Sequence, residues 1–399
     1  MNIVITGASG FVGGNLVWLL AAQGHRLLLV GRDPDRLAKA FPGHDCCGYD
    51  ELAERGRGCD RLVHLAVLNN NVSAGPEEFH RINVELTLEV AAKAQRAGIA
   101  RFVNVSSIHA LDEDNASAYA VSKREAVRQL ASFDGIEIVS VYLPMVYGAR
   151  WTGRLGALNK LPRPLARMLF SFLAALKPTV SVARIAEFVT AQLAVDKDAE
   201  IIVSDGQGKN PWYRTAVRLV DLAFALAVLV PFSWALLIIW LIVKLQSPGP
   251  GVFAQKRIGK DAREFTCYKF RTMKCGTPQT GTHEASASAI TSFGRFLRAT
   301  KLDELPQAWN ILRNEMTLIG PRPCLPIQTQ LIEARRSRGV FEVKPGISGL
   351  AQVNDIDMSD PQKLAKWDER YIRLQCLVLD LKIGLATVRG RGQGDKVAG

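Results

Sequence analysis

The chain has 399 residues, 48% hydrophobic and 22% charged, with a formal net charge of +12. That length suits two or three domains with sizeable cores, and the positive balance favours an anionic partner: a membrane surface, a phosphorylated substrate or nucleic acid. The seven cysteines are scattered without a CxxC pair or a Cys/His cluster, which excludes a zinc site or disulfide framework and fits a reducing cytosol.

The opening "MNIVITGASG" lacks a basic start and a cleavage site, so it is not read as a signal peptide. It predicts a short strand, Ile3 to Ile5, then a glycine turn Gly7-x-x-Gly10-x-x-Gly13, a helix, and a second strand from Leu27 to Val30. Glycines after a strand and before a helix let the backbone approach a pyrophosphate, which the helix N-terminus stabilises. Arg32 at the end of the second strand suits the 2′-phosphate of NADP, and Asp33 beside it keeps NAD open. "RLVHLAV" (61–67) and "RFVNVSS" (101–107) read as buried parallel strands. In "AYAVSKREAV", Tyr119 and Lys123 stand four apart, on one face of a helix. A nearby ammonium stabilises phenolate, so this spacing predicts a phenol that exchanges a proton near neutral pH.

The pieces "TGASGFVG", "VHLAV", "NVSS", "YAVSK" and "LPMVYG" resemble the extended short-chain dehydrogenase/reductase superfamily, in its sugar-nucleotide epimerase/dehydratase branch. The resemblance covers roughly the first 200 residues. It implies a Rossmann doubly wound parallel sheet that binds NAD or NADP, with Tyr119 and Lys123 catalytic and a hydroxyl polarising the substrate oxygen. Many relatives carry a third hydroxyl after "SS", where this chain has Ile108, so Ser107 or Ser106 must serve. Between Gly148 and Asp205 there is little room for the usual substrate lobe. A catalytically inactive nucleotide-binding or dimerisation module is the alternative.

"SDGQGKNP" (204–211) reads as a linker, giving domains of 1–208 and 209–399. From Leu222 to Val243 no residue is charged, long enough to span a bilayer. Pro231 near its middle removes a backbone donor. Basic residues flank both ends, Arg214 and Arg218 before and Lys244, Lys256 and Arg257 after, where a spanning helix shows lopsided charge. These features predict a re-entrant helix hairpin at about 216–244, with Trp212, Tyr213, Trp234 and Trp240 at the interface and both domains on the cytosolic side.

Four later segments, "SPGPGVFAQKRIGKDAREFTCYKFRTM", "GRFLRATKLDELPQAWNILRNEMTLIGPRP", "VKPGISGLAQVN" and "WDERYIRLQCLVLDLKIGLATV", resemble the bacterial sugar transferases, monotopic polyprenyl-phosphate phosphoglycosyl transferases. The resemblance runs from about Arg214 to Val388. It implies a small α/β domain on a re-entrant helix broken at a proline; Val230 stands where relatives place a serine before it. It further implies a UDP-sugar and undecaprenyl phosphate as substrates, Mg²⁺, and the inner membrane of a bacterium building O-antigen, capsule or a similar polymer. Asp303 becomes the nucleophile, holding the phosphosugar as an acyl phosphate, and a ligand for Mg²⁺, which would neutralise the diphosphate. Glu304 is its acidic neighbour, with metal and proton roles both open. Arg298 and Arg322 fit as phosphate clamps, and Lys269 and Arg271 as further substrate phosphate-binding residues that add positive charge near the membrane surface. Pro306 sets a helix start just after the pair. Asp368 and Asp380 read equally as salt-bridge or site acids, and Gln352 and Asn354 as nucleotide-site candidates. Nothing points to nucleic acid; a homodimer is open.

Overall fold

The computed structural model describes residues 1–70, 72–151, 153–192, 200–276 and 289–392. It divides into two compact units, one of residues 1–167 and 178–205, the other of 168–177 and 206–399.

The first unit is built on a seven-stranded sheet. Strands β1 (Asn2–Thr6), β2 (Arg26–Val30), β3 (Asp45–Cys47), β4 (Arg61–His64), β5 (Arg101–Ser107), β6 (Glu137–Leu143) and β9 (Ile201–Ile202) lie in the order β3-β2-β1-β4-β5-β6-β9. Every pairing is parallel. One apolar layer holds Ile3, Ile5, Leu29 and Val103, and the other holds Val4, Leu28, Leu62 and Phe102. Neighbouring residues on one strand thus serve opposite faces, which is why these strands read as continuous apolar runs. The order reverses at the β1–β4 pair, the switch point where this fold opens a crevice for ligands. Strand β4 ends at His64, shorter than the apolar run implies. Leu65 N and Ala66 N turn aside to donate to Thr6 Oγ1, at 3.2 and 3.3 Å. A small parallel pair follows, β7 (Met145–Tyr147) and β8 (Thr179–Ser181).

The second unit begins with ordered backbone where the sequence suggests a linker. Gln207, buried, donates to Ala174 O at 2.7 Å, and Asn210 Nδ2 donates to Ser171 O at 2.9 Å. Asn210 Oδ1 also caps the helix Pro211–Leu229, accepting from Trp212 N and Tyr213 N. With Pro211 in the first turn, this is a strong helix start.

That helix is followed after a short break by Ser233–Gln246, and the two axes bend by 60°. Among the described residues no single helix is long and apolar enough to cross a membrane; the bent pair passes that test together. Pro231 offers no N–H at the break. The hydroxyl of Ser233 donates to Val230 O at 2.7 Å, so a serine on the far side of the proline satisfies the carbonyl. Both helices and the break expose apolar side chains, among them Leu226, Trp234, Leu237, Leu241 and Leu245 in the helices and Phe232 at the break.

Two polar residues of the first helix face protein instead. Arg218 donates to Ile311 O and Leu312 O, at 2.8 and 3.1 Å, capping the C-terminus of the helix Gln307–Leu312. It is therefore not a free flanking charge. Asp221, nearly fully buried, accepts from Thr317 Oγ1 and Leu318 N at 3.0 and 2.8 Å. Tyr213 is also withdrawn from any interface: it is buried and its hydroxyl donates to Asp380 at 2.5 Å.

Around this pair stand the antiparallel hairpin β10 (Val252–Ile258) and β11 (Glu264–Phe270), and the parallel pair β12 (Thr317–Ile319) and β13 (Gly346–Ser348). The helices Thr329–Ser337, Pro361–Leu374 and Leu377–Val388 complete the unit.

The Arg218 cap generates a prediction. Arg218→Met removes two charge-assisted bonds from a helix end and should cost about 2 kcal/mol. Arg214→Met, at an exposed position, should stay within about 0.5 kcal/mol. Denaturant unfolding of the detergent-solubilised protein compares them, and equal midpoints for the two variants would refute the cap.

Candidate functional sites

The glycine turn between β1 and the helix Phe11–Ala22 leaves no room for side chains. Gly7 adopts φ +72°, and a Cβ there would lie 2.5 Å from Leu65 C. A Cβ on Gly13 would lie 2.3 Å from Gly7 O. Gly10 N donates to Gly7 O at 3.0 Å, and the helix opens at Gly10 without a side-chain cap. Bare backbone at a helix N-terminus at the sheet's switch point is the cradle that a pyrophosphate needs. Arg32 is exposed just beyond β2. Asp33 Oδ1 accepts from Arg36 N at 3.0 Å and caps the helix Pro34–Ala40. The acid thus serves the protein's own backbone.

Ser107 ends β5, and its side chain hydrogen-bonds Tyr119 in the first turn of the helix Ala118–Ala131. Ser106 Oγ is buried with no partner, so Ser107 is the hydroxyl brought to the phenol. Ile108 starts the short turn Ile108–Leu111. Lys123 is fully buried and donates to Val105 O at 3.0 Å; burial pushes it down to about 7. Burial also pushes the Tyr119 phenol up, with the Ser107 bond opposing. Lys123 thus spends its ammonium on the Val105 carbonyl, and burial acts on both members of the pair. Sequence reasoning missed Asn83. It is buried, donates to Ser122 Oγ at 3.0 Å and accepts from Leu68 N at 2.8 Å, tying down the helix that bears Tyr119. A lone amide in the apolar helical pattern "INVELTL" was its only signal.

In the second unit, Asp303 and Glu304 occupy the 3-10 turn Leu302–Glu304. The helix Ser292–Thr300 stops at Lys301, in the left-handed conformation at φ 57°. Pro306 then caps Gln307–Leu312. The adjacent acids are held between two helices, both buried. Glu304 Oε1 receives Lys269 Nζ from β11 at 2.7 Å and Arg322 Nη2 at 3.1 Å. Arg298 Nε donates to Thr272 Oγ1 at 3.0 Å. Burial pushes Asp303 up to about 6; Lys269 opposes, Glu304 adds to the rise, and Arg322 and Arg298 oppose. The result is a desolvated carboxyl beside three cations.

The bacterial sugar transferase family matches residues 212–392. The sugar transferase EpsL of Bacillus subtilis, uncharacterized by its own description, is 37% identical over 43% of this chain and 85% of its own length. The chain belongs to the bacterial sugar transferase family. The UDP-glucose:undecaprenyl-phosphate glucose-1-phosphate transferase of Escherichia coli is 38% identical over 44% of this chain and 40% of that protein. The UDP-N-acetylgalactosamine-undecaprenyl-phosphate N-acetylgalactosaminephosphotransferase of Aeromonas hydrophila is 33% identical over 53% of this chain. The chain spans 52% of the length of that Aeromonas relative. The NAD dependent epimerase/dehydratase family matches residues 3–177, the glycine-turn half of this sugar transferase.

Not every basic residue named from the sugar transferase motifs reaches the acid pair. Arg271 is buried and donates to Val243 O, Ser247 O and Pro248 O, at 3.1, 2.6 and 2.8 Å. It closes the C-terminus of the helix Ser233–Gln246 and is not a phosphate clamp. Asp368 forms a buried pair with Arg335 at 2.7 Å. Asp380 accepts from Tyr213 and Tyr371, a hydrogen-bonded acid with no cation among these partners. Gln352 Nε2 and Asn354 Nδ2 donate to Ile347 O and Leu350 O, while Gln352 Oε1 is buried without a partner.

Among the described residues no group of three or more His, Cys, Asp or Glu could cage a metal. Magnesium held chiefly by substrate phosphates and water needs one or two carboxylates, and Asp303 fits that demand. Glu304 already serves two cations.

Proposed function

We propose that this chain is a membrane-bound bifunctional enzyme of bacterial glycoconjugate assembly. Its second unit transfers a sugar 1-phosphate from a UDP-sugar to undecaprenyl phosphate, with Asp303 as nucleophile. The observation that carries this is the Asp303 carboxyl, desolvated on a fixed turn and faced by Lys269, Arg298 and Arg322. The activities printed for the Aeromonas and E. coli relatives support the substrate class.

In the first step a carboxylate oxygen of Asp303 attacks the phosphorus that bears the sugar. The bond from that phosphorus to the bridging oxygen breaks, and UMP leaves with the electron pair. The aspartyl phosphosugar keeps its transfer potential as an acyl phosphate. A phosphate oxygen of undecaprenyl phosphate then attacks the same phosphorus, and the Asp303 carboxylate departs. Arg298 and Arg322 hold the negative oxygens, and burial keeps water from competing. Glu304 keeps Lys269 and Arg322 in place. Mg²⁺, when bound, supplies further neutralisation of the diphosphate, and Asp303 is the residue that would hold it.

The bent helix pair enters one leaflet of the inner membrane and returns. Its exposed apolar side chains and the self-satisfied break at Pro231 support this reading, since exposed backbone in lipid must find internal partners.

The first unit binds NADP through the glycine cradle, with Arg32 on the 2′-phosphate; the use of Asp33 as a helix cap favours NADP over NAD. Tyr119 and Ser107 then exchange a proton with and polarise a UDP-sugar oxygen, in a reduction or epimerisation that supplies the transferase. A second reading, a dinucleotide-binding module without turnover, is favoured by the raised Tyr119 phenol and the engaged Lys123.

Asp303→Asn should lower UMP release by roughly three orders of magnitude or more and abolish the phosphosugar adduct seen by intact mass; an adduct in that variant sinks the assignment. In the wild type the carboxylate is the active form and its pKa is raised, so kcat/KM should fall with decreasing pH around a midpoint near 6, rather than near the ordinary value of about 4.

Cysteines introduced at Arg214 and Pro250 into cysteine-depleted protein should both label from the cytosolic side. Labelling of either from the periplasm means a spanning helix.

Tyr119→Phe should retain NADPH binding and transferase activity but lose conversion of UDP-4-keto or UDP-N-acetyl sugars. Gly13→Ala should lose the dinucleotide itself, because its Cβ meets Gly7 O. Binding without turnover in the wild type across that sugar panel gives the module reading.

A further inference from the structure

The segment Pro321–Cys324, which carries Arg322, is unusually constrained. Gly346 N donates to Pro321 O at 2.9 Å. Arg335 Nη1 donates to Arg322 O at 2.8 Å. Arg257 Nη1 donates to Pro323 O at 2.9 Å. Ile258 N donates to Cys324 O at 2.9 Å. Four consecutive carbonyls are thus occupied, and the two prolines fix their own φ. What the segment leaves to choose is where the Arg322 side chain points, and it points to Glu304 at 3.1 Å.

Two of the four donors are guanidinium groups taken out of water. Arg335 is 1% exposed and Asp368 2%. Arg335 Nε donates to Asp368 Oδ2 at 2.9 Å, Nη2 lies 2.7 Å from the same oxygen as an ion pair without hydrogen-bond geometry, and Nη1 is aimed at Arg322 O. A buried ion pair is weak evidence for stability, because desolvation offsets much of the attraction. A fork that meets a carboxylate on one side and a loop carbonyl on the other does something an apolar pair cannot: it fixes where the next residue's side chain starts.

We propose that Arg335, oriented by Asp368, is a positioning residue for the phosphosugar transfer, acting through the Arg322 carbonyl to aim the Arg322 guanidinium at the acid pair. This rests on the transferase reading above. Arg335 touches no substrate. Its effect reaches the diphosphate through Arg322.

The test is a double-mutant cycle on the full chain in nanodiscs, with UDP-glucose or UDP-N-acetylgalactosamine and undecaprenyl phosphate. Arg335→Lys keeps a charge for Asp368, but a single ammonium cannot also span to the Arg322 carbonyl. It should lower kcat/KM about tenfold, equal to ~1.4 kcal/mol. In an Arg322→Met background it should lower kcat/KM no further, while its shift in melting temperature is the same in both backgrounds. A second variant guards against misfolding. Arg335→Met with Asp368→Leu replaces the pair by apolar groups, a change often neutral for stability, and should show the same dependence on Arg322. Additive losses in kcat/KM, or unchanged kcat/KM in the apolar double variant, overturn the proposal and reduce the pair to a core contact. Wild-type protein inactive on both nucleotide sugars would instead defeat the transferase reading itself.

Discussion

Glu304 shares one carboxylate oxygen between Lys269 and Arg322, and the second unit is arranged around that shared oxygen. Lys269 comes from the β10–β11 hairpin, Arg322 from the loop after β12, and Glu304 from the turn between two helices. Three elements far apart in sequence meet on one atom. A buried carboxylate with two charged donors is tolerated where an unpaired one is not. The neighbouring acid, Asp303, is raised instead. Adjacent like charges on a tight turn therefore acquire different chemistries from their surroundings, one neutralised by partners and one poised by desolvation.

The same economy of burial shapes the bent apolar helix pair. A helix meant only to anchor a domain has no need for Arg218 and Asp221. Here both turn to protein, one to the end of the helix that follows the acid pair and the other to β12. The apolar segment is part of the second unit's framework, tied by these bonds to the helix Gln307–Leu312 and to β12.

Much of this was legible in the sequence, for local reasons. The glycine turn, the parallel strands and the break at Pro231 are consequences of backbone restriction and periodicity, and the chain states them within a few residues. Lys269, Glu304 and Arg322 could be named from spaced motifs. What could not be read is direction. Arg271 lies two residues past Lys269, but β11 ends at Phe270, so strand alternation no longer says where it points; it turned to close a helix end. Arg218 looks like a headgroup charge until its carbonyl partners, more than ninety residues away, are known. The pairing of Arg335 with Asp368 leaves no local pattern at all. Lys123 shows the converse: helical spacing names it, while its burial and its carbonyl partner come from packing that the spacing does not state.

The ordered start of the second unit bears on how such a protein was assembled from parts. Family resemblance to the sugar transferases begins at residue 212, but cohesion begins earlier. Residues 168–177 cluster with the transferase unit, where the Ser171 and Ala174 carbonyls receive Asn210 and Gln207 and Phe172 packs edge-on against Trp212. A segment inside the stretch that matches the epimerase/dehydratase family thus packs as a collar on the start of the sugar transferase unit. Ancestry and architecture are therefore cut at different places in this chain, and a fragment trimmed at the boundary of homology would lose its collar.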